Sequence, residues 1–262
     1  MCLASQLGAQ PPLSGPAWTE QELTASDGAT GDQFGNSVSV SGDTALIGAA
    51  DKNAYQGAAY AFVESGGEWS QQQTLVASDG AANDAFGSSV SLSGDTAVIG
   101  ASGKNSGHGA AYVFVRTGGV WSQQQELTAS DAAAGDNFGW SVSLSGNTAV
   151  IGASGKSQYV GAAYVFALSG GTWIEQQKLT ASDGALGDKL GSAVSLSAGT
   201  VIVGAVGKSN STGAAYVFAQ SGTAFAQRQK LTASDGAPGD WFGGSVSLNG
   251  NTALIPAASD LL

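Results

Sequence analysis

Cysteine is almost absent from the sequence: Cys2 stands alone, so no internal disulfide and no cysteine-ligated zinc site can form. His108 is the only histidine, and no base–nucleophile pair with a third member can be read around it. Nine Lys and Arg face 20 Asp and Glu, a net charge of −11, which argues against a phosphate-neutralising surface and hence against nucleic acid as a partner. No apolar run reaches the length of a membrane-spanning helix, so membrane insertion is not expected. Residues 1–17, MCLASQLGAQPPLSGPA, lack the basic and apolar regions of a signal peptide and read as a flexible lead-in, with no apolar segment before Cys2 to favour lipid attachment. No GxxxxGK[ST] loop is present. Only five prolines accompany 40 glycines, a balance that favours many tight turns over a proline-rich disordered chain.

What is abundant is repetition. Asp27, Asp79, Asp131, Asp183 and Asp235 follow one another at steps of 52 residues, as do Gly57, Gly109, Gly161 and Gly213, and Tyr60, Tyr112, Tyr164 and Tyr216. Trp69, Trp121 and Trp173 keep the same step, with Phe225 in the next place. Trp18 lies one residue closer to its aspartate, a single deletion in the first unit.

Within a unit the period is two. In residues 138–180, WSVSLS alternates Val142 and Leu144 with Ser141, Ser143 and Ser145, as a half-buried strand does. TAVIGA and AAYVFAL are short runs rich in β-branched and aromatic residues, and TWIEQQKLT reads as a fourth, more polar strand. Ser145-Gly146-Asn147 and Ser169-Gly170-Gly171 supply the hairpin turns, and the longer SGKSQYV joins the second strand to the third. Four short antiparallel strands repeated at this interval describe an all-β propeller blade. A blade cannot bury both faces alone, so Val142, Val150, Ile151, Tyr164, Phe166 and Trp173 are expected to pack against their neighbours' equivalents. The small residues before Tyr164 let adjacent backbones approach closely. A parallel β-helix is the alternative, but its rungs are usually shorter and lack two tight hairpins each.

FGWSVSLSGNTAVIGASG followed by GAAYVF resembles the FG-GAP repeat, the blade unit of the integrin α-chain propeller and of many bacterial surface proteins. The pairs Phe34-Gly35, Phe86-Gly87, Phe138-Gly139 and Phe242-Gly243 carry the first half of the motif, with Leu190-Gly191 in the fourth unit. Gly48-Ala49, Gly100-Ala101, Gly152-Ala153 and Gly204-Ala205 carry the second half, which Pro256-Ala257 breaks in the fifth. The family's terminal proline is missing from every unit. The resemblance covers residues 18–262, read as a single propeller of 52-residue repeats. It implies that strand one begins at the FG and that ligand recognition lies on the face carrying the loops between strands four and one and between strands two and three. It also implies calcium sites between strands one and two. Here those turns are SGDT, SGDT, SGNT, SAGT and NGNT, too poor in carboxylates for the six to eight oxygens Ca²⁺ takes.

The strands add up to one fewer than five full blades need. The segment Trp18–Thr24 supplies an isolated fourth strand, and Phe242–Ala257 supplies only strands one and two. A closed or nearly closed five-bladed ring is expected, its last blade either incomplete or closed by the N-terminal strand, with a third strand drawn from residues 1–10 or missing; a fragment of a larger propeller, or half of an oligomer, is the alternative. If the ring is open, its bare edges invite self-association.

Half of the acidic residues sit in five ASDGAxGD-type loops, as Asp27/Asp32, Asp79/Asp84, Asp131/Asp136, Asp183/Asp188 and Asp235/Asp240. Three readings stand: turn chemistry, in which the carboxylates accept backbone N–H bonds; weak Ca²⁺ binding, with no other cofactor expected; and direct ligand contact. Lys52, Lys104, Lys156 and Lys208 in the neighbouring loops balance charge, in exposed pairs worth about 0–1 kcal/mol each. Residues that vary between units are better candidates for specificity than constant ones. On the upper face these include Tyr55, His108, Tyr159, Asn210, Trp140 and Trp241, aromatic and polar groups suited to a protein or glycan. Identical acidic pairs in every unit argue against an active site, which needs asymmetry. The expected function is a non-catalytic adhesion or binding module, extracellular and on a bacterial surface. The alternatives are a purely structural repeat and a calcium-dependent binder using the Asp loops. Asn210-Ser211-Thr212 fits a glycosylation sequon, which has meaning only in a eukaryotic secretory host.

Overall fold

The computed structural model describes residues 20–257. The lead-in at 1–17, the aromatic Trp18 and any strand drawn from residues 1–10 lie outside the described residues, as does 258–262.

Strands form where the two-residue alternation predicts them. The first blade is β1 (Phe34–Ser41), β2 (Thr44–Ala49), β3 (Ala58–Ser65) and β4 (Glu68–Leu75). The second is β5 (Phe86–Ser93), β6 (Thr96–Ala101), β7 (Ala110–Thr117) and β8 (Val120–Leu127). The third is β9 (Phe138–Ser145), β10 (Thr148–Ala153), β11 (Ala162–Ser169) and β12 (Thr172–Leu179). The fourth is β13 (Leu190–Ser197), β14 (Thr200–Ala205), β15 (Ala214–Ser221) and β16 (Ala224–Leu231). A two-stranded hairpin, β17 (Ser247–Asn249) and β18 (Thr252–Leu254), begins a fifth. Each complete blade is an antiparallel sheet with strands in chain order.

The core lies between blades, as expected of units that cannot bury both faces alone. On β10, Ile151 joins Val98 and Val113 of the preceding blade, while Val150 points the other way and joins Val194 and Val203 of the next. Tyr164, Phe166 and Trp173 fill the same joint as Ile151, with Phe138 edge-on to Tyr164 at 5.5 Å.

Three devices hold each joint. Glycine allows backbone contact: a Cβ on Gly161 would lie 2.1 Å from the carbonyl oxygen of Leu190, and its φ is +83°. Serines of the first strand accept N–H bonds from the next blade's first strand, as Leu92 to Ser39 and Leu144 to Ser91, both at 2.9 Å. Glutamine side chains bracket the outer strands: Gln73 donates to the Trp121 carbonyl and accepts from its N–H, both at 2.9 Å. The alternating serines therefore serve the joint; they are not simply a solvent face. They satisfy N–H groups along an inner edge that no fifth strand covers.

The expected closure does not occur among the described residues. Gln21 brackets Trp69 of the first blade at 2.8 and 2.7 Å, and Leu23 packs against that blade's core. The N-terminal segment thus takes the place of a preceding fourth strand, but it is not paired with β17 and β18. Among the described residues, the successive joints do not carry the last hairpin round to the first blade. Val38 and Val40 on β1 stay 55% and 64% exposed, where Val90 and Leu92 on β5 are both 6% exposed.

Candidate functional site

The upper face is built from two loops per blade. The loop between strands two and three begins with a turn at Lys52–Tyr55, Lys104–Gly107, Lys156–Tyr159 and Lys208–Ser211. Its backbone is left-handed: Asn53 and Ala54 have φ/ψ of 51°/60° and 56°/46°, and Tyr55 has φ of 63°. Left-handed L-residues cost about 1–2 kcal/mol each. The next blade offsets this, because the turn aims its carbonyls across the joint. Ala85 N–H donates to the Tyr55 carbonyl at 2.7 Å, and Lys189 N–H to the Tyr159 carbonyl at 2.7 Å. The donors Ala85, Asn137, Lys189 and Trp241 are themselves left-handed, and with Gln33 at the same position in the first blade they have φ between 52° and 57°. The backbone at that position is fixed by the joint, and the side chain is left to vary.

The Asp loops fold over these turns. The second aspartate of each pair caps its own loop, as turn chemistry predicts: Asp32 accepts the Ala29 N–H at 2.9 Å, and Asp84, Asp136, Asp188 and Asp240 repeat the bond. The first aspartate departs from that reading. Its carboxylate accepts side-chain donors instead, as Asp27 does from the Tyr60 hydroxyl at 2.8 Å, with Asp79, Asp131 and Asp183 equivalent. Between the two carboxylates lies a lysine ammonium. Lys156 Nζ is 2.8 Å from Asp136 and 3.2 Å from Asp131, and Lys52, Lys104 and Lys208 sit likewise. These lysines are buried, which corrects the expectation of exposed charge-balancing pairs. The fifth pair, Asp235 and Asp240, has Asp260 at the equivalent lysine position, outside the described residues.

Electrostatics keep these groups locked. Burial, aided by the bond to Asp27, pushes the Tyr60 hydroxyl up to about 12. Hydrogen bonds from Lys230 and then Tyr216 draw Asp183 down to about 2. Lys104 is the main cause of the lowering at Asp79. Burial alone would lower the Lys104 ammonium, but its bonds to Asp79 and Tyr112 outweigh it and the net direction is up. Each of these shifts moves its group away from neutral pH.

The variable aromatics behave differently. Trp140, Tyr159 and Trp241 are 51%, 51% and 48% exposed, and all three line one groove over the third and fourth blades. The groove consists of two cavities of about 420 and 650 Å³ that share Lys189, Val206 and Gly244 as a common wall. Lys189 Nζ lies 5.8 Å from the Tyr159 ring centroid. Ser211, Ser245 and Pro256 line the larger cavity. The other candidates stand apart. Tyr55 is exposed on the first blade's turn, Asn210 on the fourth blade's turn, and His108 is half-buried with Nδ1 against the Asn105 carbonyl.

Two features escape a reading of the sequence. The Tyr–Asp bond spans a constant 33 residues, an offset visible once the repeats are aligned. Lys189 carries no periodic signal, because its equivalents are Gln33, Ala85, Asn137 and Trp241.

A family model described as FG-GAP repeat matches residues 18–62, 69–114, 121–166, 173–218 and 225–261. No curated protein matches the chain.

Proposed function

The chain belongs to the FG-GAP repeat family, and from that premise we propose that it is a non-catalytic recognition module of the adhesion type, working outside a bacterial cell. FG-GAP repeats occur typically in adhesion or binding proteins, are generally non-enzymatic and are commonly extracellular. The ligand meets the upper face over the third and fourth blades. The observation that carries this reading is the convergence of Trp140, Tyr159 and Trp241 on one groove, although the first comes from a strand and the other two from different loops. Aromatic side chains exposed on a rigid frame supply contact area at little entropic cost.

In this reading the Asp–Lys–Tyr clusters are scaffold, and calcium has no part in binding. The experiment pairs two measurements. Protein and glycan arrays are probed with the wild type and with a Trp140→Ser/Trp241→Ser variant, and bound spots are expected to disappear in the variant. Identical profiles would return the chain to a purely structural repeat. Thermal melts with excess Ca²⁺ and with chelator are expected to superimpose, since a ligand of the folded form raises Tm by mass action. A calcium-dependent rise would restore the calcium-dependent alternative.

A further inference from the structure

We propose that the groove over the third and fourth blades takes an acidic sugar, with a uronate carboxylate on Lys189 and pyranose C–H faces on Trp140, Tyr159 and Trp241. This rests on the recognition reading above and names its ligand class.

The argument begins with the basic residues. Of the nine, Lys52, Lys104, Lys156, Lys178, Lys208, Lys230 and Arg116 each lie within salt-bridge distance of an aspartate. Among the described residues, Lys189 and Arg228 are the two outside this set. In a chain with more than twice as many acids as bases, a lysine without a carboxylate needs a reason. Lys189 stands against an aromatic ring and in the shared wall of both cavities.

Among the described residues, no Asp or Glu lines either cavity. The neighbouring acids are turned away: Asp188 holds Lys208 at 2.7 Å, and Asp240 accepts the Ala237 N–H. The overall negative charge does not forbid an anion there, because exposed charges beyond a Debye length of about 8 Å are screened at physiological ionic strength.

The walls decide between anions. Inorganic phosphate would need several convergent donors, and the groove offers one ammonium. A flat, half-apolar anion instead uses what is present. Ring faces suit the C–H side of a pyranose, and Ser211 and Ser245 offer hydroxyls for the sugar's own. The larger cavity, at about 650 Å³, falls in the usual range for small-molecule sites.

The test titrates the full chain with oligogalacturonate, with hyaluronan oligosaccharides and with the methyl ester of oligogalacturonate, following tryptophan fluorescence. At least one acidic oligosaccharide is expected to bind with Kd at least tenfold below that of the neutral ester. Lys189→Gln should erase that preference and leave weak binding common to both. Trp241→Ser should lose both, with the Tm of each variant confirming that it folds. Equal affinity for acid and ester would overturn the proposal, as would an acid preference that Lys189→Gln leaves intact, or no binding of either acidic sugar. Loss of array binding to a protein or neutral glycan in the Trp140→Ser/Trp241→Ser variant would keep the recognition reading while the acidic-sugar assignment fell. Absence of any upper-face-dependent ligand would remove both.

Discussion

The joints between blades and the two ends of the array are made from nearly the same sequence, yet they differ in physical state. Val40, Leu92, Leu144 and Leu196 are equivalent positions. The last three are buried at 6%, 7% and 8% exposure, and Val40 is 64% exposed. The same contrast separates Val150, sealed between blades, from its equivalent Leu254, which is 74% exposed on the terminal hairpin. A unit of this fold therefore owns only half of its core. Stability resides in the interfaces between neighbours, as it does in other repeat architectures.

The largest break in that comparison is electrostatic. In Asp136→Ala, Lys156 loses the carboxylate 2.8 Å from its ammonium while remaining buried. Removing one partner of a buried pair costs about 3–5 kcal/mol, here toward the lower end because Asp131 stays 3.2 Å from the ammonium. In Asp240→Ala the loss is the loop-capping bond to Ala237, on the exposed last loop. A lost cap of that kind costs about 1 kcal/mol. Urea unfolding of the two variants measures the difference, and equal losses would mean that the lysine contributes nothing inside the joint.

A smaller break tests the apolar part. Leu144→Ala removes a side chain from the joint between the second and third blades, and such truncations cost about 2–5 kcal/mol, here toward the lower end because the site borders the inner surface. Val40→Ala at the equivalent position on the bare face should change stability by less than about 0.5 kcal/mol. A matched loss at Val40 would show that something covers the first blade in solution, a second copy being the self-association that open edges invite.

The blade was legible in the sequence because its signals are local. Alternation located the strands, Gly146 and Gly170 marked the hairpins, and the constant step gave the stacking. The Asp loops were half legible: the capping role of Asp32 and its equivalents follows from loop chemistry, whereas the partners of Asp27 come from residues 25 and 33 positions away. The left-handed turn at Asn53–Tyr55 was not legible, since no glycine marks it and its carbonyls are satisfied by the following blade. Whether the array closes was left open for a related reason. Closure depends on the sum of small rotations at every joint, and strand counting carries no angle. In the groove, the three aromatics stood out by breaking the repeat, but their convergence with Lys189 depends on how two blades meet.

The smallest predicted effect sharpens the comparison between interior blades themselves. Lys178 and Lys230 each reach the first aspartate of their cluster, Asp131 and Asp183, at 2.8 Å. The second blade places Glu126 at the same position, facing Asp79. Partial burial, and then the Asp79 charge, hold the Glu126 carboxyl above its ordinary value. A carboxyl raised on folding favours the folded state at pH values below its unfolded pKa, and the advantage is lost as pH rises through its folded pKa. Glu126→Gln should therefore stabilise the chain slightly at pH 7 and leave it unchanged near pH 3, where the wild-type carboxyl is already neutral. Glu126→Lys should add the contact seen in the next two blades, and its gain should extend further into acid than an ordinary aspartate would allow, because Lys104 holds Asp79 below the usual carboxylate range. Both gains are under about 1 kcal/mol, as expected for pairs on an exposed face. They are read as paired chemical denaturation midpoints at the two pH values. A gain for Glu126→Gln that does not depend on pH would assign the effect to strand propensity and not to charge.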